Sequence, residues 1–235
     1  MRTVHSTKLR KVCQADCRDI LQALKTKSVR TIFADRPFNL KKQYGKNGAG
    51  DDLPAPKDLA WSKQWIAESV RVLAPGGALL IYNLPKWPIE YGCHLNSLSE
   101  MTFKHWIVID KAHSLAIPPK SLVAKPLRDV VLHQGPKPRV FDRDLVRTPV
   151  QKCRHCGKDV KDYGGHKRFL NPKGLNLTDL WDDVPPVRHR KYKNRPAKEL
   201  APIILERVIK LTTEPGDFVC DPFAGVGITA YVAEG

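Results

Sequence analysis

The chain has 235 residues, of which 42% are apolar, with a formal net charge of +16 and a pI of about 9.7. That length supports one sizeable domain with its own core and a small insert, and so strong a positive balance favours a polyanionic partner, nucleic acid above all, although a basic ribosome-associated protein would carry the same charge. No apolar run approaches the ~18 residues that a membrane span needs, and Met1-Arg-Thr-Val-His-Ser-Thr-Lys lacks the apolar core of a signal peptide.

In chain order, residues 9–14 read as a short strand, and Asp16 opens a helix to Leu24 with Ile20, Leu21 and Leu24 on one face. Val29 to Ala34 is a β-rich run that stops at Asp35-Arg-Pro-Phe-Asn. An acidic turn at a strand's end is where open α/β sheets place their chemistry. Residues 41–58 are polar, with Gly45, Gly48, Gly50, Pro54 and Pro56, and read as a long loop. Leu59 to Leu73 carries Trp61, Trp65, Ile66, Ser69, Val70 and Leu73 at helical spacing, Pro75-Gly76-Gly77 ends it, and Ala78 to Tyr82 is a buried strand.

Ile107 to Asp110 and Val130 to His133 read as further strands. From 134 to 195 apolar content falls and Pro, Lys, Arg, Asp and Gly dominate, as in an insert with little core of its own. Leu200 to Leu211 returns to helix, Phe218-Val-Cys to strand, Asp221 to Gly227 is a tight turn, and Ile228 starts a helix. Strands alternating with helices predict an open, mostly parallel α/β sheet flanked by helices.

Four stretches carry candidate chemistry. In Asp221-Pro222-Phe223-Ala224-Gly225-Val226-Gly227 a strand ends in an acid and a glycine turn opens a helix. Glycines allow backbone conformations and ligand approach that other residues forbid, so a cofactor can sit on such a turn. Gly225-Val-Gly227-Ile-Thr-Ala230 also fits a dinucleotide fingerprint, but that reading needs a further strand and an acid about 20 residues on. A plain strand–turn–helix joint stays open beside both. In Asp35-Arg36-Pro37-Phe38 a carboxylate and a backbone carbonyl can accept the hydrogens of an amine, and an aromatic can stack on a flat ring. That set suits a base taken out of the duplex, or simply a turn acid with a buried Phe.

Cys153-Arg-His-Cys156 is half of a structural zinc site, with His166 as third ligand and His189 as a distant fourth. The alternative is a reduced Cys pair in a tight turn. Cys13, Cys17, Cys93 and Cys220 read as ordinary reduced thiols. Arg188-His-Arg190-Lys191-Tyr-Lys193-Asn-Arg195 can contact phosphates, as can Lys41 and Lys42 beside the Asp35 turn, or form a solvated charged loop.

Taken together, Asp35-Arg-Pro-Phe38 near the start and Phe223-Ala-Gly225-Val-Gly227 near the end resemble the β group of DNA amino-methyltransferases of bacterial restriction–modification systems. Their order is a tetrapeptide of the Asp-Pro-Pro-Tyr/Phe type, a target-recognition region, then a Phe-x-Gly-x-Gly cofactor loop. Ala15-Asp16-Cys17, Arg71-Val-Leu-Ala-Pro-Gly-Gly and Asn194-Arg-Pro-Ala-Lys-Glu-Leu extend the resemblance over nearly the whole chain.

The resemblance implies a Rossmann-like fold with rotated strand order and S-adenosylmethionine as cofactor. The cofactor would be held by Asp16, Asp221 to Gly225, Gly227 and Asn194. Catalysis would fall to Asp35, the carbonyl of Arg36, Pro37 and Phe38, acting on the exocyclic amine of a flipped base, adenine N6 in preference to cytosine N4. It implies residues 1–133 as a catalytic half, 134–193 as a target-recognition insert and 194–235 as the cofactor segment. It also implies duplex DNA as partner, a cognate restriction endonuclease, and a bacterial or phage protein of the cytoplasm.

Two departures stand out. Arg36 replaces the first proline, losing its fixed φ and placing a cation where it could compete for Asp35. The chain also ends before the next strand of the family pattern, as a C-terminally truncated member would. A catalytically silent DNA-binding relic and an RNA methyltransferase of related fold are the alternative readings.

Overall fold

The computed structural model describes residues 1–41, 51–110, 128–150, 152–153, 155–159, 161–162, 164–185 and 200–235. An exposed antiparallel hairpin, β1 (Arg2–Ser6) and β2 (Lys11–Gln14), precedes α1 (Cys17–Ala23). The chain continues through β3 (Val29–Ala34), α2 (Ala55–Val72), β4 (Leu73–Asn83), α3 (Lys86–Asn96), β5 (Thr102–Ile109) and β6 (Arg128–Gln134). It closes with β7 (Leu180–Trp181), α4 (Pro202–Thr212), β8 (Val219–Cys220) and α5 (Ile228–Glu234).

Six strands form one sheet in the order β7-β5-β6-β4-β3-β8. The pairs β3–β4, β3–β8 and β5–β7 are parallel, whereas β6 runs antiparallel to both β4 and β5. Five of the six strands therefore point the same way and β6 is reversed, which makes a mixed sheet that is mostly parallel, as expected. β5 and β6 are sequence neighbours with no helix between them among the described residues, and consecutive strands without a crossover pair antiparallel.

Side-chain alternation along β3 and β4 sorts the core onto two faces. Ile32, Ala34, Leu79 and Ile81 pack with Leu21 of α1, Trp65 and Ile66 of α2, and Tyr91 and Leu95 of α3. Phe33, Ala78, Leu80 and Tyr82 pack with Ile204, Leu205 and Val208 of α4, and Ile228 and Val232 of α5 lie against them. With both faces covered, the ligand-accessible part of the sheet is the carboxyl edge of its parallel strands.

The expected helix over 59–73 begins earlier, at Ala55. Pro54 is its cap and Pro56 lies in the first turn, where a missing N–H costs nothing. Pro75-Gly76-Gly77 does not separate helix from strand but lies within β4. Gly76 has φ +71°, and a Cβ there would sit 2.4 Å from the Lys137 carbonyl, so only glycine lets the 135–139 segment pass.

The predicted insert is less separate than its composition suggests. β7 pairs with β5 in the main sheet, Trp181 and Val184 are buried in the second core, and Arg207 of α4 pairs with Asp183. No described helix is long and apolar enough to cross a membrane.

Candidate active site

β3 is nearly fully buried through Ala34, and its parallel neighbour β8 is in register with it, Ile32 opposite Cys220. The two chains thus leave the sheet side by side, β3 into Asp35 and β8 into Asp221. One cleft at this edge is lined by Phe33, Asp35 and Leu200 together with Asp221, Phe223, Ala224, Gly225, Val226, Ile228 and Thr229. The two stretches singled out in the sequence, far apart along the chain, meet there.

The 221–227 loop is braced from within. Asp221 accepts hydrogen bonds from the Phe223 amide at 2.8 Å and from Thr229 Oγ1 at 2.5 Å, and the Gly227 amide donates to the Ala224 carbonyl at 2.6 Å. Gly225 and Gly227 have φ of +53° and +83°, a region that glycine enters without strain. A side chain at Gly227 would meet nothing within 4 Å, and at Gly225 only the Phe223 carbonyl at 3.8 Å, so these glycines serve backbone shape and leave the loop's face open. Burial pushes the Asp221 carboxyl up to about 6, against the lowering effect of its two hydrogen bonds. The Phe223 ring packs edge-on to Trp65 at 5.2 Å and tilted on Trp61 at 6.0 Å.

The 35–39 turn is held by side chains rather than by a ladder. Trp87 Nε1 donates to the Phe38 carbonyl at 3.0 Å, and Arg36 Nε donates to the Pro37 carbonyl at 2.5 Å. The Asn39 side chain pairs with the Leu53 backbone in both directions, at 2.7 and 2.9 Å. The half-buried Phe38 ring lies 5.9 Å from that of Tyr82.

Arg36 is 2% exposed and turns away from the cleft edge. Its guanidinium forks onto Asp58 at 2.7 and 2.9 Å and also donates to Ser62 Oγ at 3.0 Å and Tyr91 Oη at 2.6 Å. It lies over the rings of Trp61 and Trp87, 5.7 and 5.6 Å from their centroids. The guanidinium is thus committed to a bidentate carboxylate on α2, the geometry that satisfies its planar fork best. Burial raises the Tyr91 hydroxyl above its ordinary value, so it stays protonated and neutral beside the ion pair.

Other expected residues are placed elsewhere. Asp16 is the N-cap of α1, accepting from the Arg18 amide at 2.9 Å and forming an ion pair with Arg18 at 2.8 Å, and it is not among the residues lining the cleft. The hydrogen bond from Arg18 holds its carboxyl below the usual range. Lys41 is exposed and 3.5 Å from Asp52. Lys42, Arg188, Arg190, Lys191, Lys193 and Asn194 lie outside the described residues.

The zinc set is not assembled: among the described residues no group of three or more His, Cys, Asp or Glu is arranged to hold a metal. Cys153 sits in a tight turn closed by the Gly157 amide, and amides of Cys156 and His155 lower its thiol pKa. His166 belongs to a separate short helical turn capped by Asp162, with its ring folded back over Gly164. His189 lies outside the described residues.

Sequence reasoning missed Asp58, Ser62, Trp87 and Tyr91. One signal was present. Asp58, Ser62 and Ser69 fall on the same buried stripe of α2 as Trp65 and Ile66, and polar groups on a buried face demand partners.

A family model described as a DNA methylase, of the N6/N4 type, matches residues 29–235. Type II methyltransferase M.BamHI of Bacillus amyloliquefaciens is 42% identical over 230 residues, covering 97% of this chain and 52% of its own length. The chain thus spans about half the length of that relative. The cytosine-N4-specific PvuII DNA methyltransferase superposes with a TM-score of 0.65 at 14% identity, over 94% of this chain and 76% of its own. The M1.HpyAVI–SAM complex does so with a TM-score of 0.55 at 17% identity, over 94% and 86%.

Proposed function

The chain belongs to the N6/N4 DNA methylase family, and from that premise we propose that it transfers the methyl group of S-adenosylmethionine to the exocyclic amine of adenine or cytosine in duplex DNA. The carrying observation is that Asp35 and the Asp221–Gly225 loop line one cleft at the carboxyl edge of β3 and β8. The loop fits the cofactor in kind. Its face is open above two positive-φ glycines, the half-buried Asp221 can accept hydrogen bonds, and Phe223 and Leu200 supply apolar walls.

When bound there, S-adenosylmethionine supplies an electrophilic methyl group. The chain's residues do the rest by position and electrostatics. Asp35 and the carbonyl of Arg36 accept the two amine hydrogens, which draws the nitrogen lone pair out of ring conjugation and points it at the methyl. Asp35 takes up the proton that the methylated nitrogen sheds. Phe38 offers a ring for the flipped base. The carbonyls of Pro37 and Phe38, tied by Arg36 and Trp87, are withdrawn from that contact.

In this reading the 134–193 segment recognises the target, Lys41 and the basic 188–193 stretch meet phosphates, the work is done in a bacterial cytoplasm, and the methyl mark protects against a cognate endonuclease. The head residue Asp35 makes adenine N6 the first expectation. The test is nucleoside mass spectrometry after incubation with S-adenosylmethionine and unmethylated duplex DNA. N6-methyladenine or N4-methylcytosine supports the reading and names the base. Intact cofactor binding with neither nucleoside formed, or methylation of RNA alone, overturns it.

A further inference from the structure

The Arg36 cluster is more elaborate than a turn substitution requires. A cation next to the proposed catalytic acid is buried, forked onto Asp58, touched by Ser62 and Tyr91, and placed over two indoles. Its contacts run in three directions. Through Nε it holds the carbonyl of Pro37 at 2.5 Å, inside the turn itself. Through Trp87, whose Nε1 holds the Phe38 carbonyl at 3.0 Å, it steadies the next peptide. Through Trp61, whose ring meets Phe223 at 6.0 Å, it reaches the 221–227 loop of the cleft. Two carbonyls of the turn and one wall of that loop are thus referred to a single guanidinium.

We infer that Arg36 is a positioning residue for methyl transfer, doing through its side chain what a proline ring would do through its fixed φ. The inference rests on the proposed methyl-transfer function. The atoms that must be aimed are the Asp35 carboxylate and the Arg36 carbonyl, on either side of one peptide bond. A proline at 36 would fix that backbone by covalent geometry. Arg36 fixes it instead by tying the following carbonyl to a charge that Asp58 cannot release without leaving a buried carboxylate unpaired. Misplacement by an ångström in such a constellation costs about 100-fold in rate. The effect belongs to the chemical step and leaves binding of cofactor and DNA in place.

The test compares two double variants in which the Asp58 charge is removed together with the arginine, so that neither leaves an orphan carboxylate. Arg36→Met/Asp58→Leu refills the pocket with apolar groups but gives the turn no constraint. Arg36→Pro/Asp58→Leu fills it only in part, since a proline ring does not reach where the guanidinium lay, but restores a covalent constraint. Thermal melts establish that both fold. Single-turnover methyl transfer, cofactor Kd and KM for DNA are then measured on each.

The expected result is a single-turnover rate about 10–100-fold below wild type for the Met/Leu variant, with Kd and KM within about threefold, and recovery of most of the rate in the Pro/Leu variant. Equal rates in the folded Met/Leu variant and wild type overturn the inference, since Arg36 would then serve stability alone. Equal slowing of both double variants also overturns it, because restoring the constraint would have restored nothing. A wild-type protein that forms no methylated nucleoside overturns the function itself and the inference with it, and is distinguished from the other two results before any variant is made.

Discussion

Asp221 gives the sharpest link between electrostatics and function. Its carboxyl lies between two hydrogen-bond donors, the Phe223 amide and Thr229 Oγ1, yet burial outweighs both and pushes it up from 3.8 to about 6. A carboxyl raised on folding stabilises the fold only while it is protonated. Its contribution is present in full below pH 3.8 and is lost as the pH rises through about 6. At pH 7.5 the protein holds a carboxylate that the folded state disfavours.

At ~1.4 kcal/mol for each tenfold change in proton affinity, a rise from 3.8 to about 6 gives an upper value of about 3 kcal/mol. The side chain's partial exposure brings the expectation to about 1.5 kcal/mol. Asp221→Asn keeps an oxygen for the Phe223 amide and turns an NH2 towards Thr229, whose hydroxyl can accept as readily as donate. The variant should therefore melt higher than wild type at pH 7.5, by about 3–6 °C for a chain of this size. The advantage should shrink as both proteins are melted at falling pH towards 4.5. Cofactor affinity should fall in the same variant, since the disfavoured charge is retained on the wall of the cleft. A variant that melts lower than wild type at every pH by a constant amount would refute the reasoning, because the carboxylate would then be favoured by its hydrogen bonds rather than disfavoured by burial.

Asp35→Ala should reduce methylated nucleoside to background while leaving S-adenosylmethionine Kd within about threefold, read by product mass spectrometry and calorimetric titration. Arg36→Met alone, unlike the double variant, strands Asp58 as an unpaired buried carboxylate and should cost about 3–5 kcal/mol in denaturant unfolding; a loss under about 1 kcal/mol would contradict the observed pairing. Arg207→Met breaks the bidentate contact to Asp183, at 2.8 and 2.5 Å, and the stacking on Trp181 at 5.1 Å. Arg207 holds the Asp183 carboxyl below its usual range, so the pair's contribution is present above about pH 4 and lost as the pH falls. Because Asp183 is half-exposed, the ionic part is worth at most about 1 kcal/mol, and the variant should lose that acid-side slope in pH-dependent melts.

The strands that build the cleft were legible because each is a short apolar run stopped by an acid, a pattern contained in a few consecutive residues: Val29 to Ala34 before Asp35, and Phe218 to Cys220 before Asp221. That the two would be neighbours followed from the resemblance, not from either run. α3 was not anticipated, and its sequence carries two residues that disfavour helix interiors, Pro88 and Gly92. Pro88 falls in the first turn, where its missing N–H has no intrahelical partner to lose, and Trp87, Tyr91 and Leu95 make the buried stripe. β7 was hidden for a different reason. Two residues carry no periodicity, and Leu180–Trp181 is a strand only because β5 offers it an edge. The direction of β6 was likewise a matter of pairing, which composition does not encode.

Arg36 shows how a departure from a family pattern changes meaning once its surroundings are seen. In the sequence it is a lost proline and an intruding charge. In the fold the charge has a dedicated carboxylate, two hydroxyls and two indoles, contributed by α2 and α3. None of those partners lies near it in the chain, and each polar one occupies a buried position where an apolar residue would avoid the desolvation penalty. A single substitution arriving in a proline-shaped site would have left a buried cation unpaired and been strongly destabilising. The pairing is intelligible only if Asp58, Ser62 and Tyr91 are fitted to Arg36. Changing Arg36 back to proline on its own should therefore impair this chain rather than repair it, while the same change accompanied by removal of the Asp58 charge should be tolerated.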